Sequence, residues 1–169
     1  MDQQMLALAK NAARLSVTNA GIFAGVYFVI DILSKIPVIG VAFFCLNALL
    51  SLAAFFAIAY LGTPKLSPFP SGQTTPLLAL AIGAGVAAVV TVAFLIVTAL
   101  DGIVALIIAA ALGGSDSAFG SAVGGVGALI VRLIGGLVFS LLVGTLLAFL
   151  GSYVAFERNK ALLGAAGPF

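Results

Sequence analysis

Polar side chains along this chain are gathered into a few short stretches, and the residues between them are apolar over distances that match a bilayer. A hydrocarbon core about 30 Å thick takes about 20 helical residues to cross, since each advances the helix by about 1.5 Å. The first apolar run covers residues 17–33 and continues an amphipathic lead-in from about Gln4 that carries Lys10 and Arg14. The turn "SKIP" follows, where Pro37 removes a backbone donor and ends the helix, and a second run covers 38–61. Next comes "GTPKLSPFPSGQTTP", with four of the six prolines and no apolar periodicity, which reads as an exposed loop. Two further runs, 77–112 and 121–156, flank the only plausible turn between them, "GGSDSAFGS".

This pattern predicts an all-α integral membrane protein with four transmembrane helices in two antiparallel hairpins, the second with overlong arms. Residues 1–16 form a cytoplasmic amphipathic lead-in, 17–61 the first hairpin, 62–76 a Pro-rich cytoplasmic loop, 77–156 the second hairpin and 157–169 a cytoplasmic tail. Each arm of the second hairpin is about 36 residues long, or about 54 Å as one helix, more than a tilt of about 20° absorbs. Either the arms bend, at Asp101-Gly102 or around Gly124-Gly125-Val126-Gly127, or they project beyond the membrane on the side of the "GGSDSAFGS" turn.

Basic residues set the expected orientation. Lys10, Arg14, Lys65, Arg158 and Lys160 share one side of a four-span chain, against Lys35 and the deeper Arg132 on the other, which places both termini in the cytoplasm. Lys10 and Arg14 follow the first apolar positions and no small-residue cleavage site is seen, so the first span is expected to be an uncleaved anchor.

Composition agrees with lipid as the solvent: 63% of the residues are hydrophobic, 7% are charged, and the mean hydropathy is +1.33. A soluble domain carries roughly a quarter charged residues to cover its surface. The net charge of +2 is too small and too scattered to suggest nucleic acid. With no histidine and the single cysteine Cys45, haem, zinc and imidazole proton relays lack their ligands, and no cofactor or metal is expected. Cys45, in "VAFFCLNALL", reads as a small buried or lipid-facing side chain. The glycines of "GGVGALIVRLIGG" lack the Lys-Ser/Thr ending of a phosphate-binding loop, and no nucleophile-base set can be assembled from the dispersed carboxylates.

Three features carry the functional expectations. Folding the second hairpin so that Leu112 faces Ser121 brings Asp101 level with Arg132, the two charges within the long arms. Each is costly alone in a low dielectric, and a bidentate pair satisfies both. Asp31 and Lys35, four apart at the end of the first span, can neutralise each other on one helix face, on the same side of the bundle. Finally, the fourth arm holds a row at every fourth position: Gly120, Gly124, Ala128, Arg132, Gly136, Ser140, Gly144, Ala148 and Ser152. All but the arginine are small, which lets another backbone approach closely; shorter rows are Gly21 and Gly25, Ala79-Gly83-Ala87 and Ala81-Gly85.

The expectation from these features is a non-catalytic accessory subunit of a larger multisubunit membrane complex, packing through small-residue ridges against other membrane subunits and lipid, with homo-oligomerisation also open. The alternative is a small oligomeric transporter or channel using Asp31, Lys35, Asp101 and Arg132 as an outer-side charge cluster. A lipid-modifying enzyme would have to rest acid-base chemistry on isolated aspartates. In span count alone, the layout is similar to the duplicated proteolipids of rotary ATPases. The mid-membrane carboxylate expected in their final span is absent here, where Arg132 stands as the only charge.

Overall fold

A computed structural model describes residues 3–34, 40–70, 72–112 and 115–159, with the side chains of 40, 41, 44, 108–112 and 115–124 left aside. The described residues form helices and short connections. Helix α1 is Gln3–Ser34, α2 Gly40–Gly62, α3 Thr75–Leu112, α4 Ser115–Phe139 and α5 Thr145–Arg158, with a 3-10 turn at Thr63–Leu66 and a π-helical turn at Ser140–Gly144 joining α4 to α5. Four stretches are long and apolar enough to cross a membrane, the fourth running continuously through α4, the π turn and α5. The lead-in and the first apolar run are one helix, because no proline or turn residue separates them and Met5, Leu8 and Ala12 repeat on the buried face.

Helix α3 is the mast of the bundle. It packs against α1 on one side and against α4 and α5 on the other, while α2 closes the ring by packing on α1 and α5. Half of the most apolar stretch of α3 is buried, far more than in the other three spans. Glycine makes this possible. A Cβ at Gly85 would collide with the carbonyl oxygen of Ala9 on α1, and one at Gly83 would stand 2.7 Å from the backbone nitrogen of Phe149 on α5. On the far side of α5, a Cβ at Gly151 would strike the carbonyl oxygen of Phe56 on α2. These three helix pairs thus touch backbone to backbone.

The tightest packing lies at the proximal end, where α1 and α3 begin and α2 and α5 finish. Phe69 from the connecting loop stands edge-on to Phe156 with ring centroids 4.9 Å apart, over Met5, Leu8, Leu78 and Ile82. The small-residue row of the fourth arm is buried here: Ser140, Gly144, Ala148 and Ser152 all face the core. Distally the row emerges, with Ala128, Arg132 and Gly136 exposed, and at Gly124 only the helical backbone is described. Helix α4 rests on α3 and has sparse contact at most with α1 and α2 among the described residues. The change occurs at the π turn, where the Phe55 ring occupies the space a side chain on Gly144 would need, 2.5 Å from the missing Cβ.

Gly21 and Gly25 on α1 lie on an exposed face, with no atom outside their own helix within 4 Å of where a Cβ would stand. Within the described chain they pack against nothing. Two classes of glycine therefore respond differently to substitution. Gly85→Ala and Gly151→Ala are expected to lower stability in detergent by roughly 1–3 kcal/mol through overpacking against backbone. Gly21→Ala should leave the single chain no less stable, and up to about 1 kcal/mol more so, through better helix propensity. Equilibrium unfolding in mixed micelles checks the sign at each position.

Candidate polar cleft between α1, α3 and α4

Where α4 leaves α2, the distal half of the bundle opens into a cavity of about 430 Å³. Helix periodicity supplies its walls in pairs. Tyr27 and Asp31 are four apart on α1, with Ser34 a turn beyond; Val97, Thr98 and Asp101 share one face of α3; Arg132 and Gly136 are four apart on α4. The facing of α3 and α4 follows one register along its length. Gly136 meets Leu95, Arg132 meets Asp101, Gly102 meets Leu129 and Gly125 meets Leu106, each step up one helix matching a step down the other.

The Asp101 carboxylate is recessed and the Arg132 guanidinium is not: their side chains are 9% and 70% exposed. Arg132 Nη1 stands 4.0 Å from Asp101 Oδ2, within ion-pair range and beyond hydrogen-bonding distance. This is a charge contact without the bidentate geometry that gives such pairs their strength. From α2, Asn47 reaches Asp31, and its Nδ2 donates to Asp31 Oδ1 at 3.4 Å. Asn47 is 5% exposed, and its own Oδ1 has no hydrogen-bond partner among the described residues. Lys35, the expected partner of Asp31, lies outside the described residues.

The remaining polar groups divide by whether their hydrogen bonds are already used. The Ser34 hydroxyl donates to the Asp31 carbonyl at 2.6 Å, and the Thr98 hydroxyl donates to the Phe94 carbonyl at 2.9 Å, so both serve their own helices. Tyr27 is fixed by its ring, edge-on to Phe94 with centroids 4.9 Å apart. Its hydroxyl has no hydrogen-bond partner among the described residues, and Tyr27 lines the same cavity as Asp31 and Arg132. No group of three or more histidine, cysteine, aspartate or glutamate side chains is placed to hold a metal ion among the described residues.

The structure thus brings Asp31, Asp101 and Arg132 around one cavity and adds Tyr27, which composition and spacing passed over, while Asn47, a residue of the second span able to hydrogen-bond across helices, contacts Asp31 from α2. A signal for Tyr27 existed: it stands one helical turn before Asp31 on the same face. Asn47 could be tied to Asp31 only through packing of α2 on α1. No protein-family model matches the chain, and it has no match among curated proteins or solved structures.

The long, partly exposed contact between Asp101 and Arg132 is expected to contribute little to stability. A double-mutant cycle of Asp101→Asn and Arg132→Gln, read by unfolding in micelles, should give a coupling of no more than about 1 kcal/mol. A coupling of several kcal/mol would mean that the pair closes into a buried bidentate bridge.

Proposed function

We propose that the chain is a non-catalytic accessory subunit of a larger multisubunit membrane complex, joined to its partners through small-residue helix ridges. The observation that carries this reading is the surplus of outward glycine. Gly21 and Gly25 on α1, and Gly127 and Gly135 on α4, occupy helical positions with no atom outside their own helix within 4 Å of the Cβ site. A glycine inside a helix costs about 1 kcal/mol relative to alanine, and nothing among the described residues offsets that cost. Between helices in lipid, where water exclusion gives no drive, close backbone approach is the usual compensation. Exposed Val17, Ile22, Val26 and Val29 flank Gly21 and Gly25, providing the β-branched surround into which a second backbone could settle.

In this reading the four apolar helices cross the membrane as two hairpins, with both termini and the loop 62–76 in the cytoplasm. Heights within the bundle support the placement. The contact of Gly85 with Ala9 and Ala13 puts Lys10 and Arg14 level with that part of α3, and Arg14 and Lys65 border one surface hollow. From this basic band to Ser34 is about 30 Å of helix, one hydrocarbon thickness. Asp31 and Asp101 then fall about 24–26 Å into the membrane, in the outer third of its core. Beyond them, the end of α3 continues about 16 Å further than Asp101, past the level of Ser34 on α1.

A second reading is favoured by the cleft: a small oligomeric transporter or channel in which Asp31, Asp101 and Arg132 hold or gate a polar solute. Charged side chains at membrane depth usually mark such paths. The two readings part experimentally. Gentle detergent extraction at native abundance, followed by native mass spectrometry, is expected to recover the chain with other subunits in fixed stoichiometry. Paired Gly21→Leu and Gly25→Leu substitutions should release it from them with its own fold retained. Recovery alone, or as a homo-oligomer, contradicts the accessory reading, and loss of solute flux in Asp101→Ala or Arg132→Ala with assembly intact would establish the second.

A further inference from the structure

The proximal end of the bundle concentrates positive charge that its own packing does not use. Lys10 and Arg14 on α1, Lys65 in the 3-10 turn and Arg158 at the end of α5 stand there against the single carboxylate of Glu157 among the described residues. Arg14 and Lys65 have no carboxylate partner among those residues. The two cations come from different segments and converge because of the loop. Pro64 lies in the first positions of the 3-10 turn, and buried Phe69 anchors the loop on Phe156, which lays Lys65 and Pro68 beside α1.

Arg14 and Lys65 border one hollow of about 430 Å³ together with the Asn11 amide and the Ser67 hydroxyl. A second hollow, of about 400 Å³, opens beside it around the Gln4 amide, over Leu8 and Phe69. The two share Asn11, Leu66 and Pro68, so they adjoin along the asparagine. The side chains of Gln4, Asn11 and Ser67 make no hydrogen bond among the described residues, and no carboxylate of those residues borders either hollow.

The order of these groups along α1 matches the order of parts in a phospholipid. In the placement proposed above, Arg14 stands at the membrane edge. Asn11 and Gln4 precede it by about 5 Å and about 15 Å of helix on the polar side. Leu15 follows it at once, exposed, and on α2 the exposed Leu61 lies one turn before Lys65. A phosphate diester suits the cations, since a guanidinium can hold two of its oxygens and the lysine adds a point charge. Side-chain amides both donate and accept, as hydroxyl groups do, so they suit a polyol. A head group ending in an ammonium would meet two cations and no described carboxylate.

We infer that the paired hollows bind an anionic phospholipid with a hydroxyl-bearing head group, its phosphate seated on Arg14 and Lys65 and its hydroxyls on Asn11 and Gln4. The cytoplasmic leaflet, where the proposed orientation puts this end, is rich in anionic lipid. The inference rests on the membrane placement proposed above and not on the accessory reading, since one chain forms both hollows.

The test uses the full-length chain purified in detergent and supplemented in turn with glycerol, serine, ethanolamine and choline phospholipids of matched acyl chains, with bound lipid counted by native mass spectrometry. The glycerol lipid is expected to be retained at least about tenfold over the ethanolamine and choline lipids, which carry no net charge, and at least about threefold over the serine lipid, which carries an ammonium. Arg14→Gln and Lys65→Gln should each lower that retention about tenfold with an unchanged elution profile. Lys10→Gln removes a cation from the same helix that borders neither hollow, and should change it less than about twofold. If Arg14→Gln does not fold, Lys65→Gln, on an exposed turn, decides. Equal retention of the glycerol lipid with any of the other three overturns the inference, as does a loss in Lys10→Gln as large as in Arg14→Gln. Saturable thermal stabilisation by free glycerol phosphate as strong as that by the lipid would make the ligand a soluble anion and overturn it too. Failure of the accessory reading leaves these retentions unchanged, because the sample holds no partner.

Discussion

Everything in this bundle depends on how closely three helices approach α3 and one another without side chains between them. Gly85 admits the Ala9 carbonyl, Gly83 admits the backbone of Phe149, and Gly151 admits the Phe56 carbonyl. In the proposed membrane placement, a helix that is apolar on every side gains little from being turned toward its neighbours, because the solvent would itself be apolar. Orientation must then come from shape, and close glycine contacts are the shape that only one rotation of each helix satisfies. The proximal half is accordingly dense, with Phe55, Ile58, Ile82 and Phe156 almost wholly enclosed.

The distal half is open for a reason that follows from the same packing. Helix α5 is held to α2 through Gly151 and to α3 through Gly83, and the next turn toward α4 meets the Phe55 ring at Gly144. The π-helical turn at Ser140–Gly144 takes up the misfit, and beyond it α4 follows α3 with sparse contact at most to α1 and α2 among the described residues. Such turns frequently stand beside functional sites, and here one separates a packed core from a polar cavity. The arginine that looks misplaced in the apolar sequence "GALIVRLIGG" is on the first exposed turns past this point, where it can reach toward Asp101 while remaining mostly uncovered. Its position is a consequence of the splay, and its charge gives the cleft a chemistry that the surrounding helices lack.

Much of the helix layout was legible because it rests on lengths. Apolar run lengths, the position of Pro37 and the Pro-rich loop separate the four long helices, and the structure shows four of suitable length and apolarity. The facing of Asp101 and Arg132 was also legible, since one register applies from Leu95 against Gly136 to Leu106 against Gly125. The row of small residues on the fourth arm was visible as a ridge, but nothing in its spacing told that Gly144 and Ala148 face the core while Ala128 and Gly136 face outward. That division comes from the π turn, which has no signature of its own in "SLLVG". Gly21 and Gly25 show the same ambiguity, because small-residue spacing marks a surface suited to close approach without naming what approaches. The place of Tyr27 on the cleft and the contact of Asn47 with Asp31 depend on how α1, α2 and α3 are rotated, and no local pattern encodes that rotation.

The account rests most heavily on the cleft-bearing part of α4 lying inside the hydrocarbon rather than in water. The most direct measurement places a nitroxide at Val131, 71% exposed and next to Arg132, through Val131→Cys in a Cys45→Ser background reconstituted into vesicles. Collision of the label with dissolved oxygen and with a water-soluble nickel chelate then reports its depth. The account predicts frequent collision with oxygen and little with the chelate. Dominant collision with the chelate would place this stretch in water and contradict the proposed membrane placement of the helices.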